Sequence, residues 1–267
     1  MNDVPYTHGH HESVLRSHRW RTAANSAAYL LDRLRPGMTL LDVGCGPGTI
    51  TCDLARRVAP GTVVGIDAAE AVVAEARDQA GRTGPPTVSF EAGDLFDLRF
   101  DAATFDVVHA HQVLQHVGDP VAALAEMRRV CRPGGVVAAR DGDYPGFRFF
   151  PEEGELNRAI TAYGRVTRAN GANWDAGRRL LHWANQAGFA SVLPSASTWC
   201  FATPEDRAWW GGLWAERFTR SSLAGQLLDH GFADRADLDS FAAAWLRWAS
   251  SPDGWFAVLH GEVLCVR

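Results

Sequence analysis

No stretch of this 267-residue chain approaches the roughly 18 consecutive apolar residues of a membrane-spanning helix. The N-terminus, Met1 to Ser17, is polar and His-rich and lacks the apolar core of a signal peptide. Basic runs are absent too. With a net charge of −5 and a pI of about 6.0, nothing favours nucleic acid or an anionic membrane surface as a partner. The five cysteines (Cys45, Cys52, Cys131, Cys200, Cys265) are scattered, odd in number and without CxxC spacing. Their simplest account is reduced thiols in a cytoplasmic protein. His8, His10, His11 and His18 crowd one end, but no cysteine or paired carboxylate stands beside them at ligand spacing, so no metal site is expected. Neither a repeat nor a low-complexity tract is present.

The chain is 46% hydrophobic and 21% charged, enough for a substantial core in one or two domains. Its organising stretch is Leu40-Leu41-Asp42-Val43-Gly44-Cys45-Gly46-Pro47-Gly48-Thr49. The apolar run from Met38 to Leu41 reads as a buried strand, and Thr49 to Val58 as a helix. Glycines between them let the backbone turn sharply and leave room for a ligand to approach the main chain. The helix that follows turns its unpaired N–H groups and positive end toward that ligand. Strand, glycine turn and helix together make a nucleotide-type half-site of a doubly wound sheet.

Further β-rich runs follow at Thr62 to Asp67, Thr87 to Phe90, Phe105 to His109 and Val136 to Arg140, alternating with helical patterns. Such alternation implies parallel pairing through crossovers. Asp67 closes the second run, where a carboxylate accepts from ribose hydroxyls; it could also cap the helix expected over Ala68 to Ala80. Asp94 after Gly93 suits either a turn cap or the exocyclic amine of an adenine. Asp119-Pro120 opens a helix, and Arg132-Pro133-Gly134-Gly135 turns into the fifth strand. A packing helix is expected from Ser17 to Leu34. Asp141 to Gly146 reads as a loop, Glu152 to Arg168 and Asp175 to Ala187 as helices, and Ala190 to Phe201 as a sixth strand. Thr203-Pro204 opens a helix carrying Trp210, Trp214 and Phe218 on one face. A further helix, Ala236 to Ala249, aligns Leu238, Phe241, Trp245 and Trp248, and Trp255 to Val266 is the closing strand. Most of the ten tryptophans fit as core, with a few lining an apolar or aromatic pocket.

As a set, the glycine turn, Asp67, Gly93-Asp94 and Arg132-Pro133-Gly134-Gly135 resemble the class I S-adenosylmethionine (SAM)-dependent methyltransferases. Leu41 to Gly48 and Val113-Leu114-Gln115-His116-Val117 are similar to the ubiquinone/menaquinone-biosynthesis-type branch, as is Tyr6-Thr7-His8-Gly9-His10-His11. The resemblance covers Tyr6 to about Arg140. It implies an α/β, Rossmann-like doubly wound seven-stranded sheet with its last strand antiparallel and helical substrate-cap additions. One methyltransferase domain, 1–267, would comprise a cofactor-covering segment (1–34), a SAM-binding core (35–143), cap insertions (144–176 and 203–253) and the last strands (177–202 and 254–267). SAM would be held by Tyr6, His11, Gly44, Cys45, Gly46, Asp67, Ala68, Gly93, Asp94, Leu95 and His111, the last placed just past the fourth strand near the sulfonium.

Chemically the task is to align a nucleophile behind the methyl–sulfur bond. Where the acceptor must lose a proton, His111, His116, Asp141, Asp143 and Tyr144 stand at or beyond strand ends; of these His111, Asp143 and Tyr144 are the catalytic candidates. A base-free reaction stays open. The expected activity is methyl transfer from SAM to a small apolar or aromatic acceptor, quinone-like or a secondary metabolite, and a homodimer is open. Two rivals are a non-catalytic SAM-fold binding protein and a nicotinamide-dinucleotide oxidoreductase. The latter wants glycine where Thr49 stands.

Overall fold

Strand β1 (Leu40–Val43) is buried along its whole length, as a central strand covered on both faces must be. It pairs in parallel with β2 (Val63–Asp67) on one side and β4 (Phe105–His111) on the other. In this computed structural model, which describes residues 12–267, β3 (Val88–Ala92) extends the sheet beyond β2, and β5 (Cys131–Gly142) follows β4. Antiparallel to β5 lies β8 (Trp255–Val266), whose first residues also pair with the short β6 (Arg148–Phe150). The path is β3-β2-β1-β4-β5-β8-β6, and β7 (Ser191–Phe201) pairs antiparallel along the other edge of β8. The doubly wound sheet with an antiparallel last strand is thus present, with β6 as an additional short strand.

One sheet face packs Leu54 and Val58 of α4 (Thr49–Val58), with Leu30 and Leu34, against Leu40, Val63 and Val107. The other face is covered by α6 (Pro120–Val130) and α8 (Ala176–Gln186), where Met127, Leu180 and Trp183 meet Leu41, Val108 and Val137. The third core is aromatic. It joins α7 (Gly154–Ala169), α9 (Pro204–Arg220), α10 (Ser222–Asp229) and α11 (Arg235–Ser250) above the carboxyl half of the sheet. The remaining helix between strands, α5 (Glu70–Thr83), lies beside β3. All five cysteines are unpaired, and no described helix is long and apolar enough to cross a membrane.

Four expectations change, one being that Arg132–Gly135, expected as a turn before the fifth strand, already lies within β5. Instead of one helix from Ser17 to Leu34 there are three short ones, α1 (Glu12–Arg19), α2 (Ala23–Ser26) and α3 (Ala28–Leu31). The Thr22 hydroxyl accepts from Asn25 N at 3.2 Å while the Asn25 side chain accepts from Thr22 N at 2.8 Å, and this reciprocal cap restarts the helix. Asp141 and Gly142 belong to β5 rather than a loop, because Gly261 and His260 of β8 pair with them. His111 is the last residue of β4, paired with Arg140, and not beyond it.

Candidate active site

A cavity of about 570 Å³ opens at the carboxyl ends of β1, β2 and β4, where a doubly wound sheet leaves its crevice. Its floor is the glycine turn. Gly44, Gly46 and Gly48 all adopt positive φ, at 66°, 55° and 79°. A side chain on Gly44 would place its Cβ 2.4 Å from Val113 Cγ2, so the β4 loop closes on the turn only because nothing projects there. At Gly46 the only atom within 4 Å of such a Cβ, among the described residues, is His18 Nδ1 at 3.9 Å, which leaves bare backbone facing the cavity. Helix α4 starts from Gly48 with no side-chain cap, so its first N–H groups point into the same space.

Carboxylates ring this half. Asp67 Oδ2 accepts from Gly46 N and Oδ1 from Ala69 N, each at 3.1 Å, which braces the glycine turn against β2. Asp94 Oδ1 accepts from Phe96 N at 2.9 Å, holding the Gly93–Leu95 loop. Below the floor, buried Asp42 binds Thr51 Oγ1 at 2.5 Å and His109 Nδ1 at 2.7 Å. Burial, followed by the charges of Asp42 and Asp67, pushes the Cys45 thiol well up, so it stays protonated.

The other half is aromatic, walled by Tyr144, Phe147, Trp199, Trp210 and Val258. Between the halves stands His111, 5% exposed, with neither ring nitrogen hydrogen-bonded among the described residues. Burial first, then the cations Arg140 and Arg21, hold its pKa well below the ordinary imidazole value, so the ring is neutral. His116 is pushed down to about 3 by burial and by Arg21. Behind His111 runs a relay. Arg21 Nη2 donates to Gln112 Oε1 at 2.7 Å, and Gln112 Nε2 lies 2.9 Å from His260 Nε2. His260 Nδ1 sits 3.0 Å from the Val258 carbonyl, which can only accept, so Nδ1 carries the proton and Nε2 accepts from Gln112. Gln112 turns toward both partners through a φ of 55°, strain of the kind that gathers at functional sites.

The structure brings Gly44, Cys45, Gly46, Asp67, Ala68, Gly93, Asp94, Leu95, His111 and Tyr144 to the cavity. Tyr6 and His11, like His8 and His10, lie outside the described residues. Asp143 is not among the residues lining the cavity, and its carboxylate accepts from Arg178 at 2.6 and 2.7 Å. It also caps the turn at Gly146 N. Sequence reasoning missed Ser17, His18 and Arg21, which cover the glycine turn, and Gln112, Trp210 and Arg217. Helix α1 is tied to both sides of the cavity, through Arg19 to Glu75 on α5 and Arg16 to Glu216 on α9. The resemblance already implies that 1–34 covers the cofactor, though without naming these residues, and the histidines up to His18 are the local hint within it.

Asp141, beneath the cavity, accepts from Gln115 N at 3.0 Å while its Oδ2 has no partner among the described residues. Burial raises its pKa to about 7, against the downward pull of the Gln115 and Leu114 amides and Arg140. In the unfolded chain such a carboxyl ionises near ~4. Between those pH values the native state therefore holds an extra proton, and stability falls as pH rises. Asp141→Asn is expected to be more thermostable than the parent at pH 8, with the gap closing toward pH 5. A gap that is constant from pH 5 to 8 by scanning calorimetry would rule this out.

The comparisons with known proteins agree with this geometry. Residues 34–188 match the methyltransferase domain family. An uncharacterized methyltransferase of Schizosaccharomyces pombe is 34% identical over 97% of this chain and 95% of its own length. A demethylmenaquinone methyltransferase of Beutenbergia cavernae is 34% identical over 66% of this chain and 70% of its own. Phosphoethanolamine N-methyltransferase 2 of Haemonchus contortus, solved with S-adenosylhomocysteine, shares the fold with a TM-score of 0.59 at 15% identity, over 96% of this chain and 57% of that one. The chain belongs to the methyltransferase domain family.

Proposed function

We propose that the protein transfers the methyl group of SAM to a small apolar or aromatic acceptor. The observation that carries this is one continuous cavity with two chemically different halves, bare glycine backbone ringed by carboxylates and an aromatic chamber, with His111 between them. The first half fits SAM by its donor set. Backbone of Gly44, Cys45 and Gly46, with the α4 N-terminus, suits the methionine carboxylate. Asp67 has each oxygen engaged by one amide, which leaves lone pairs for ribose hydroxyls. Asp94 Oδ2, beside Ala68 and Leu95, suits the adenine amine. When bound, SAM supplies a methyl group activated by its positive sulfur. The protein's own part is to align the acceptor and exclude water, and proximity alone can provide a large share of the acceleration.

In this reading 1–267 form one domain, with 35–143 holding the cofactor, 1–34 covering it, 144–176 and 203–253 shaping the acceptor chamber and 177–202 and 254–267 closing the sheet. His111 and Tyr144 face the acceptor. Thermal-shift titration with SAM, S-adenosylhomocysteine and NAD tests the cofactor half. A ligand at about 100 times its Kd adds roughly 2.7 kcal/mol of stability, which SAM and S-adenosylhomocysteine should show and NAD should not. Isotopic methyl transfer to an extract of small molecules tests the rest; tight SAM binding without labelled product would make this a non-catalytic binding protein.

A further inference from the structure

A second cleft, of about 400 Å³, lies between helices α2 and α3 and strands β5, β7 and β8, and Trp199 is the wall it shares with the first cavity. Its floor is a row across the three strands. Arg140 of β5 pairs with Glu262 of β8, and Glu262 with Ser195 of β7, so the three side chains stand on one face. Arg140 Nε donates to Glu262 Oε1 and Ser197 Oγ, each at 3.1 Å. Ser197 Oγ and Ser195 Oγ donate to the two oxygens of Glu262 at 2.5 and 2.8 Å. The carboxylate therefore holds three donors. Its guanidinium partner is less well served. Arg140 is 1% exposed, yet neither Nη1 nor Nη2 makes a hydrogen bond among the described residues; Nη1 is enclosed, while Nη2 is not. Because Arg140 lines this cleft and not the first cavity, the open Nη2 edge meets the cleft.

A buried guanidinium short of acceptors is costly, so a ligand that brings one gains affinity from it. Charge decides which acceptor fits. Glu262 already neutralises Arg140, so a second anion would carry an uncompensated charge into a buried place, and a carbonyl oxygen would not. The sides of the cleft are the rings of Trp20 and Trp199, with Ala24 and Ala28 leaving a flat apolar space beside them. We propose that this cleft is a second ligand site, which takes a small, planar, neutral amide or lactam by its carbonyl oxygen on Arg140, and that its occupation tightens binding in the first cavity. The coupling comes from one segment that lines both. Ser17, His18 and Arg21 line the first cavity, and Trp20, Ala24 and Ala28 the second. The Asn25 carbonyl accepts from Trp199 Nε1 at 2.6 Å, which fastens this segment to the shared wall. A ligand between Arg140 and α2 makes contacts that exist only while the segment is docked, and so favours the arrangement that covers the first cavity. The site itself is independent of what the first cavity binds; the coupling rests on the methyltransferase reading.

The probe is benzamide, compared with toluene, which lacks the acceptor, and benzoate, which adds a charge. Calorimetry on the protein alone should show benzamide binding at least about tenfold tighter than either. Ala28→Phe, which narrows the cleft from α3 and leaves the ion pair in place, should abolish benzamide binding with S-adenosylhomocysteine affinity unchanged. Arg140→Met combined with Glu262→Gln removes the guanidinium without stranding a buried charge, and should reduce benzamide to the level of toluene. Saturating benzamide should raise S-adenosylhomocysteine affinity about fivefold, an effect absent in Ala28→Phe. Benzamide no tighter than toluene, benzoate tighter than benzamide, or benzamide binding undiminished in either variant overturns the site. An S-adenosylhomocysteine affinity unmoved by benzamide overturns the coupling and leaves the site standing. Absence of S-adenosylhomocysteine binding while benzamide still binds overturns the methyltransferase reading alone.

Discussion

Replacing Gly44 by alanine is expected to weaken S-adenosylhomocysteine binding by about two orders of magnitude. Two costs combine. The residue has a φ of 66°, a region where a Cβ costs about 1–2 kcal/mol. That Cβ would also lie 2.4 Å from Val113 Cγ2, and relieving an overlap of this kind in packed structure costs about 1–3 kcal/mol. Together they come to about 3 kcal/mol, roughly 100-fold in an equilibrium constant, borne by the turn proposed to meet the cofactor. Val113 leads into the 3-10 turn Leu114–His116, so the shift also reaches Gln115 and His116. Gly81→Ala is the control, since a Cβ there meets nothing within 4 Å and lies in α5. It should leave binding untouched. Calorimetry showing less than a fivefold loss for Gly44→Ala would refute the role given to the turn.

The largest loss of stability is expected from Trp245→Ala, by about 3–5 kcal/mol. Trp245 is fully buried, stacks on Trp214 at 5.3 Å and 10°, and meets Trp248 and Phe256 at 6.1 and 5.4 Å. The helices α9 and α11 are fastened to each other through this ring, and Trp214 lies 5.9 Å from Trp210 of the chamber wall. A cavity at that point leaves its neighbours without dispersion partners, and Tm should fall on the order of 10 °C. Trp255→Ala, 42% exposed, should move it by less than about 2 °C. Because the parallel sheet has its own cores, acceptor binding should fail at lower urea than S-adenosylhomocysteine binding. Simultaneous loss of the two binding activities would show that cap and sheet unfold as one unit.

Much of this structure is written locally. Trp255 to Val266 reads as a closing strand and forms β8 over those same residues, and Thr49 to Val58 forms α4 likewise. Asp119 caps α6 through Ala122 N at 2.9 Å, and Thr203 caps α9 through Asp206 N at 3.1 Å, each with proline at the next position. Propensity, caps and glycine conformation are properties of a few neighbouring residues, so they survive without tertiary knowledge. The α/β order, the glycine turn and the acids Asp67 and Asp94 belong to this legible part. So does family membership.

Contacts across the chain are a different matter. Short β6 and α10 carry too little periodicity to be read, and exist because β8 and the aromatic core hold them. Asp143 stands at a strand end in the sequence, and only the fold shows Arg178, 35 positions later, bound to its carboxylate. Arg21, Gln112 and the α9 pair Trp210 and Arg217 come from three separate segments, and no spacing rule relates one segment to another. The sequence alone therefore determined a strand–glycine–helix site for an activated methyl donor, because that site is built within a few dozen consecutive residues. Only tertiary structure decided the aromatic half of the cavity. Its walls are a meeting of α1, β4, β5, β7, β8 and α9, segments far apart in the chain that only folding brings together.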